Sequence, residues 1–516
     1  LAAVDTTLLP ANRRQNMLIK VLDKKTPEAL IVPLLQDEQL SARLEQIAQR
    51  AGIDAALLQQ DFKADSKEIF VLYAGNAPMR RLYLLGLGKK AGFPEVQAAF
   101  RAFSHRFKQK LPLRVGIDLR DLSADLIPRL SEAAVCGMLL GLYQIGIFQS
   151  DREQKPSPQF GSSRSQLDLL VAPDLQVSVG KAIYRAEVFA EASVAIFDLM
   201  NTPGNYKKPQ QVSDLVLALA EKHDFSASVL DKAALEKIGM GALLGVGQGS
   251  VNPPALLVLE YGARPRKQKR PVLGLVGKGV TFDTGGISIK PSGNMQYMKS
   301  DLGGAAAVLG AFMVIARLQL PIRLVAAIPL AENMPDAAAI KPGDVIRSFS
   351  GKTIEVTDTD AEGRLILADA LSFLIDREKC DVLIDLATLT GSIIRAIGTQ
   401  AAGLFSSNEL LIERLRSVGA NCGERLWPMP MWEEYGSDLK SDVADLRNFT
   451  GKPMAESISA AKFLEHFTDK HPAWAHLDIA GTAFGDSEFA ITKSGTAFGV
   501  RLLVEFAEQM HEHFGA

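Results

Sequence analysis

Two dense clusters of charged residues lie between Val272 and Arg364. The first sets Lys278, Asp283 and Lys290 among Gly277, Gly279, Gly285 and Gly286, and is followed by Met298-Lys299-Ser300-Asp301. The second reads Asp358-Thr359-Asp360-Ala361-Glu362-Gly363-Arg364-Leu365. Together they offer the acids Asp283, Asp301, Asp360 and Glu362 and the bases Lys278, Lys290 and Arg364, in an otherwise apolar neighbourhood. Such a set is costly to bury unless something binds the charges. A pair of divalent cations, typically ~3.5–4 Å apart and bridged by carboxylates, is the economical answer, and four acids balance two dications. Oxygen-rich ligation favours Mn²⁺ or Mg²⁺, whereas a lysine amine as ligand pulls towards zinc. That amine must lose its proton to bind, which adjacent dications favour. The histidines (His105, His223, His466, His471, His476, His511 and His513) all lie outside the clusters, which argues against a histidine-based triad or zincin site.

Each piece has a plainer reading when taken alone. Asp360 could cap a helix starting near Glu362, and Arg364 could pair with an acid. Lys278 after Gly277 suggests a phosphate loop, but the glycine spacing is wrong and no Ser or Thr follows directly. Joint occurrence at strand ends favours a site. A different two-metal hydrolase, such as a phosphoesterase, is one alternative. A non-catalytic binding role is another, and the basic run Arg264-Pro265-Arg266-Lys267-Gln268-Lys269-Arg270 keeps nucleic acid in view, though a solvated loop is its plainer reading.

The elements that must position these residues follow from hydrophobic periodicity. Pro271 to Gly277, Arg323 to Leu330 and Val382 to Leu386 read as strands, and Ala305 to Leu318 and Arg364 to Arg377 as helices. Ala255 to Tyr261, Phe225 to Leu230 and Thr353 to Thr357 are further strands. The glycine run Gly239 to Ser250 lacks nucleotide-loop spacing and predicts close backbone packing instead. Upstream, the runs Ala29–Leu35, Ile69–Tyr73 and Arg81–Gly86 alternate with the helical stretches Leu40–Ala51 and Phe93–Phe107. Ser131 to Tyr143 follows as a helix, then Leu167 to Ala172 as a strand, with a surface loop at Gln149 to Ser165. Val177 to Met200 is helical and stops at Asn201-Thr202-Pro203-Gly204-Asn205. The expected fold is therefore α/β, with a smaller N-terminal α/β domain over residues 1–176, a connecting helix over 177–205 and a larger domain over 206–516 that carries the charged clusters. The larger domain has a mainly parallel sheet covered by helices on both faces. Ligands of such sheets collect at the carboxyl ends of strands, so Lys278/Asp283, Asp360/Glu362 and Thr388-Leu389-Thr390-Gly391 are expected at one rim.

Composition adds bounds. The 516 residues are 47% hydrophobic and 22% charged, with a net charge of −2, as in ordinary globular proteins. The near-neutral balance argues against nucleic acid or an acidic membrane as the principal partner. Cys136, Cys380 and Cys422 are widely spaced and odd in number, which suggests reduced thiols. The apolar run Gly304 to Ala316 falls short of the ~20 residues of a spanning helix and predicts a buried one. No signal pattern opens the chain, though it begins at Leu1, as it would after removal of a leader.

The second cluster resembles the N-T-D-A-E-G-R-L signature of the leucyl aminopeptidases, the M17 metallopeptidase family. Val276 to Gly286 and Met298 to Ala306 resemble that family's metal-binding segments. Pro329 to Pro335, Ala387 to Gly391, Lys440 to Leu446 and Trp474 to Thr482 match further. The likeness runs from about Asn201 to the C-terminus. It implies a metal-dependent aminopeptidase that removes N-terminal leucine and similar apolar residues from peptides by two-metal activation of a bridging water. Lys278, Asp283, Asp301 and Glu362 would hold one metal, zinc or manganese. Asp283, Asp360 and Glu362 would hold the other, with the main-chain carbonyl of Asp360. Lys290 would stabilise the oxyanion and Arg364 would hold bicarbonate as general base. Met298, Thr388 and Gly391 would border the first side-chain pocket, with Leu389 offering a backbone acceptor. A homohexamer (a dimer of trimers) and a cytoplasmic location are implied as well, or an organellar one if a leader preceded Leu1. Asp358 departs from the usual Asn, and Leu302 stands where Met is common.

Overall fold

A computed structural model describes residues 17–22, 27–73, 79–90, 92–145, 148–150, 160–262, 271–486 and 490–514. The basic run 264–270 lies outside these residues, as does much of the 149–165 loop. The chain divides into two compact units, one ending at Val194 and the other starting at Ala195, and the 26-residue helix Gln176–Asn201 runs across that division.

The N-terminal unit is built on a six-stranded sheet. Its strand order is Leu18–Leu22, Gln166–Leu170, Arg114–Asp118, Ala29–Leu34, Arg81–Gly86 and Ile69–Tyr73. All neighbours are parallel except the last pair. The helices Phe93–Phe107 and Ile127–Gly141 pack backbone to backbone. A Cβ on Gly137 would lie 2.5 Å from the Gln97 carbonyl oxygen, and one on Gly141 2.5 Å from that of Arg101. Any side chain there would wedge the two helices apart.

The C-terminal unit holds a nine-stranded sheet. Val272–Gly277 lies at its centre, parallel to both Arg323–Asn333 and Val382–Ala387, and Val382–Ala387 is in turn parallel to Trp474–Asp478. Antiparallel strands close the edges, among them Ala255–Tyr261 beside Ser226–Leu230. The central strands are buried on both faces, so they read as continuous apolar runs and not as alternations. Leu256, Val258, Val276, Val325, Ala327 and Leu383 share one core cluster with Leu365, Leu371 and Leu374 of the helix Glu362–Arg377. Their alternate neighbours point to the other face, where the helix Gly303–Leu318 lies.

That second helix explains the apolar run. The segment Met295–Leu318 is long and apolar enough to cross a membrane, yet 89% of its most apolar window is buried inside the fold. Its glycine-rich start lets it meet the strand ends flush. A Cβ on Gly304 would lie 1.9 Å from the Leu386 carbonyl oxygen and 2.7 Å from the Lys278 nitrogen. Main-chain bonds complete the joint: Lys278 N donates to Leu386 O at 3.0 Å, and Ala305 N donates to Lys278 O at 2.9 Å.

The glycine run near residue 240 forms the short helix Gly241–Gly247. A Cβ on Gly241 would come within 2.2 Å of Arg347 O, and one on Gly249 within 2.2 Å of Met334 O. Close packing is therefore its role. Its first N–H groups are taken by a protein carboxylate: Asp369 Oδ2 accepts from Ala242 N and Leu243 N at 2.9 Å each, while Oδ1 accepts from Phe349 N at 2.7 Å. Burial pushes Asp369 up to about 7 against the pull of these donors.

Candidate metal centre

Four chain segments meet at the carboxyl ends of the central strands, the rim where such sheets gather ligands. Lys278 follows Val272–Gly277. Asp283 ends Gly279–Asp283, a short strand that sequence periodicity did not separate from Val272–Gly277, paired parallel with Arg323–Asn333. Its register shifts between Val280 and Phe282. Asp301 precedes the helix Gly303–Leu318, and Glu362 opens the helix Glu362–Arg377.

The side chains converge. Lys278 Nζ lies 2.8 Å from Asp301 Oδ2 and 2.8 Å from Glu362 Oε1, and it donates to Thr388 O at 3.0 Å. Lys290 Nζ is 2.7 Å from Asp283 Oδ2 and also pairs with Asp360 Oδ1. Thr388 Oγ1 donates to Asp301 Oδ1 at 2.7 Å. Asp283, Asp301 and Glu362 each offer a carboxylate oxygen within 4.8 Å of the others. Gly363 makes room for this: a Cβ there would sit 2.5 Å from Lys278 Cε.

The electrostatics are those of a site short of positive charge. Burial, then Glu362, raises Asp283 above the ordinary carboxyl range, and burial likewise raises Asp301. Asp360 is pushed up to about 7 by burial and by Asp283 and Glu362. Burial pulls both lysines down, but the surrounding carboxylates outweigh it and hold them above the usual lysine value. Burial works against Glu362 too, yet Lys278 and Lys290 bring it below its ordinary value. Glu362 Oε2 remains buried without a hydrogen-bond partner. Asp301 Oδ2 and Asp360 Oδ1 face lysines but accept no well-directed hydrogen bond. Underused buried carboxylate oxygens, in excess over the lysines, form a donor set that fits divalent cations.

The plainer readings of the acids and bases fail on geometry. The helix Glu362–Arg377 has Ala361 as N-cap with no side-chain cap, so Asp360 does not serve as one. Arg364 is fully buried and forms no ion pair among the described residues. Its guanidinium donates from Nη1 to Asn448 O at 2.8 Å, and its Nε has no partner. Burial lowers its pKa against Glu456, Glu362, Asp358 and Asp478.

The expected pocket residues occupy the same rim. Met298 is half-buried in the turn Met295–Ser300, and its carbonyl accepts from Asp301 N at 3.3 Å. Leu389 N donates to Asp478 Oδ1 at 3.1 Å, and Gly391 opens the helix Gly391–Ile397.

Two supporting residues, Asn333 and Asp478, lie in segments that the resemblance covers but were given no role by it. Asp478 also accepts from Thr390 Oγ1 at 2.7 Å and so fixes the 388–391 loop. Asn333 Nδ2 donates to Asp283 Oδ1 at 2.8 Å and to Thr359 O at 3.1 Å, tying the two clusters together. Partners that orient ligands in this way are worth about 10–100-fold in metal affinity. Asn333→Ala is expected to weaken Mn²⁺ binding by that factor in a folded protein, as read by chelator competition.

Comparison with known proteins assigns the chain to a family. The model of the cytosol aminopeptidase family, catalytic domain, matches residues 195–504, and that of the family's N-terminal domain matches residues 31–152. The probable cytosol aminopeptidase of Chloroherpeton thalassium is 41% identical over 492 residues, covering 93% of this chain and 96% of the relative. That of a Geobacter species is 40% identical over 500 residues, covering 94% and 97%. Among solved structures, the bottromycin maturation enzyme BotP in complex with Mn aligns with a TM-score of 0.80 at 31% identity, covering 94% of this chain and 99% of that one. A mutant of tomato leucine aminopeptidase aligns with a TM-score of 0.84 at 30% identity, covering 97% and 98%. With both domain models matched in order along the chain and relatives aligned over nearly its whole length, this protein belongs to the cytosol aminopeptidase (M17) family.

Proposed function

We propose that the protein is a two-metal aminopeptidase that releases N-terminal amino acids, leucine and similar apolar residues foremost, from peptides. The observation that carries this reading is the excess of buried carboxylate at the rim, with Glu362 Oε2 unpartnered. Lys278, Asp283, Asp301 and Glu362 would hold one cation. Asp283, Asp360 and Glu362 would hold the other, with the main-chain carbonyl of Asp360. With both lysines charged, the four carboxylates leave room for one dication. A second requires Lys278 to give up its proton and become a ligand, which leaves the Lys290 ammonium as the free positive charge. When bound, such a pair of ions activates water and polarises the scissile carbonyl.

The chain's own groups do the rest. Lys290 meets the negative charge that develops on the carbonyl oxygen. Arg364, buried with a free Nε, would hold a bicarbonate, which would supply a general base. Met298, Thr388 and Gly391 border the pocket for the first side chain, and Leu389 supplies a backbone acceptor. The solved relative in complex with Mn supports manganese, with zinc the other candidate, and the tomato relative's name supports leucine. The family's name supports a cytoplasmic location. Peptides are the partners, and assembly as a homohexamer completes the reading.

Hydrolysis of leucine amide by chelator-stripped protein, before and after adding Mn²⁺ or Zn²⁺, is the direct test. Activity is expected to vanish on stripping and to return with metal. A folded, metal-replete protein that leaves leucine amide intact would overturn the reading.

A further inference from the structure

The second cluster, from Asp358 to Arg364, is held in place by a residue more than 80 positions away. Asn448 is fully buried. It extends the short strand Leu446–Arg447, which runs parallel to Thr353–Glu355, and its main-chain nitrogen donates to Glu355 O at 3.0 Å. This ladder fixes its side chain against the 357–361 loop, which carries Asp360 and leads into Glu362. Asn448 Oδ1 accepts from Thr357 N at 2.8 Å and from Asp358 N at 3.3 Å. It also accepts from Thr357 Oγ1 at 3.3 Å. Asn448 Nδ2 donates to Asp358 O at 2.6 Å and, more weakly, to Ala361 O at 3.4 Å. Its own carbonyl oxygen takes the Arg364 Nη1 donor.

One side-chain amide therefore satisfies both donors and acceptors of the ligand loop, while the same residue's main chain holds the guanidinium. The other side of the loop is pinned independently: Thr359 Oγ1 donates to Gly285 O at 2.6 Å and accepts from Ser288 N at 2.8 Å. A loop with few apolar contacts of its own keeps one conformation only through such bonds.

We propose that Asn448 is a positioning residue that sets the Asp360 and Glu362 carboxylates relative to the Arg364 guanidinium. This rests on reading Asp360 and Glu362 as metal ligands. The role demands an amide specifically. A carboxylate of the same shape would still accept from Thr357 and Asp358, but its other oxygen would face the carbonyl oxygens of Asp358 and Ala361 without a proton to share.

That requirement gives the test a sign. Asn448→Asp adds a negative charge near the cations, so charge alone tightens binding; misplacement of the ligands loosens it. Mn²⁺ affinity is measured by chelator competition on wild type, Asn448→Asp and Thr357→Val, beside thermal unfolding. Thr357→Val removes the hydroxyl that reaches Asn448 Oδ1 and Phe449 O and leaves the rest of the loop. The expected result is wild type binding Mn²⁺, Asn448→Asp binding about 10–100-fold more weakly, and Thr357→Val shifted in the same direction by less. Affinity in folded Asn448→Asp equal to or tighter than wild type overturns the proposal. If Asn448→Asp does not fold, Thr357→Val decides, and wild-type affinity there overturns it. Failure of the wild type itself to bind Mn²⁺ removes the ligand reading instead, and the inference with it.

Discussion

Asp283→Ala should yield a folded protein that retains no divalent cation and no peptidase activity. Asp283 ends its strand with both carboxylate oxygens engaged. Oδ1 accepts from Gly285 N at 2.9 Å and from Asn333 Nδ2 at 2.8 Å, and Oδ2 pairs with Lys290. One main-chain and one side-chain donor thus hold the carboxylate rigid, as a bridging ligand requires. Its loss should cost more than the ~10–100-fold typical of the residues that merely orient ligands. The fold should survive, because burial and Glu362 already disfavour the charged Asp283, so truncation relieves repulsion in the metal-free cluster. Arg364→Ala is the contrast. It touches none of the proposed ligands, so metal content should hold while turnover falls by ~10²–10⁴, the range for loss of general-base assistance. Metal analysis after gel filtration, paired with leucine amide kinetics, reads both. Unchanged metal content in Asp283→Ala would sink the ligand assignment.

How much of this centre the sequence disclosed depends on what carried the signal. Val272–Gly277 and Gly303–Leu318 were legible because burial on all sides leaves an apolar run of the right length. Lys278, Asp283, Asp360 and Glu362 stood out because charge is costly beside such runs. Asn333, Asn448 and Asp478 did not. Each works by bonding to main-chain groups, and a backbone carbonyl has no residue type. Asn448 reaches Asp358 across 90 positions, so neither period nor spacing points to it. The strand Gly279–Asp283 was missed for a local reason: it is five residues long and follows Val272–Gly277 after a single residue, so no turn signal separates the two. The helix Glu362–Arg377 starts two residues before the expected Arg364, because the residues ahead of its apolar pattern serve the site and not the core.

Lys290→Met tests the division of labour between the two lysines. Lys278 is sealed in, its side chain 3% exposed, whereas that of Lys290 is 20% exposed and reaches the site from its open side. Lys290 is bound to carboxylates that also serve as proposed ligands, so in the metal-free protein it competes with the cations. Its removal should leave metal affinity unchanged or tighter. Turnover should fall about 10²–10³-fold, the loss seen when one oxyanion donor is deleted, with little change in KM because the contact strengthens only as charge develops. Lys278→Met should differ in kind: it strips the proposed amine ligand from one cation and sets an apolar chain between Asp301 and Glu362, so retention of that cation should fail. Steady-state kinetics at saturating Mn²⁺ separate the two cases. If Lys290→Met regains full turnover once metal is saturating, the lysine acts only as a counter-ion of the empty cluster; if the loss persists in kcat, its charge is used in the transition state.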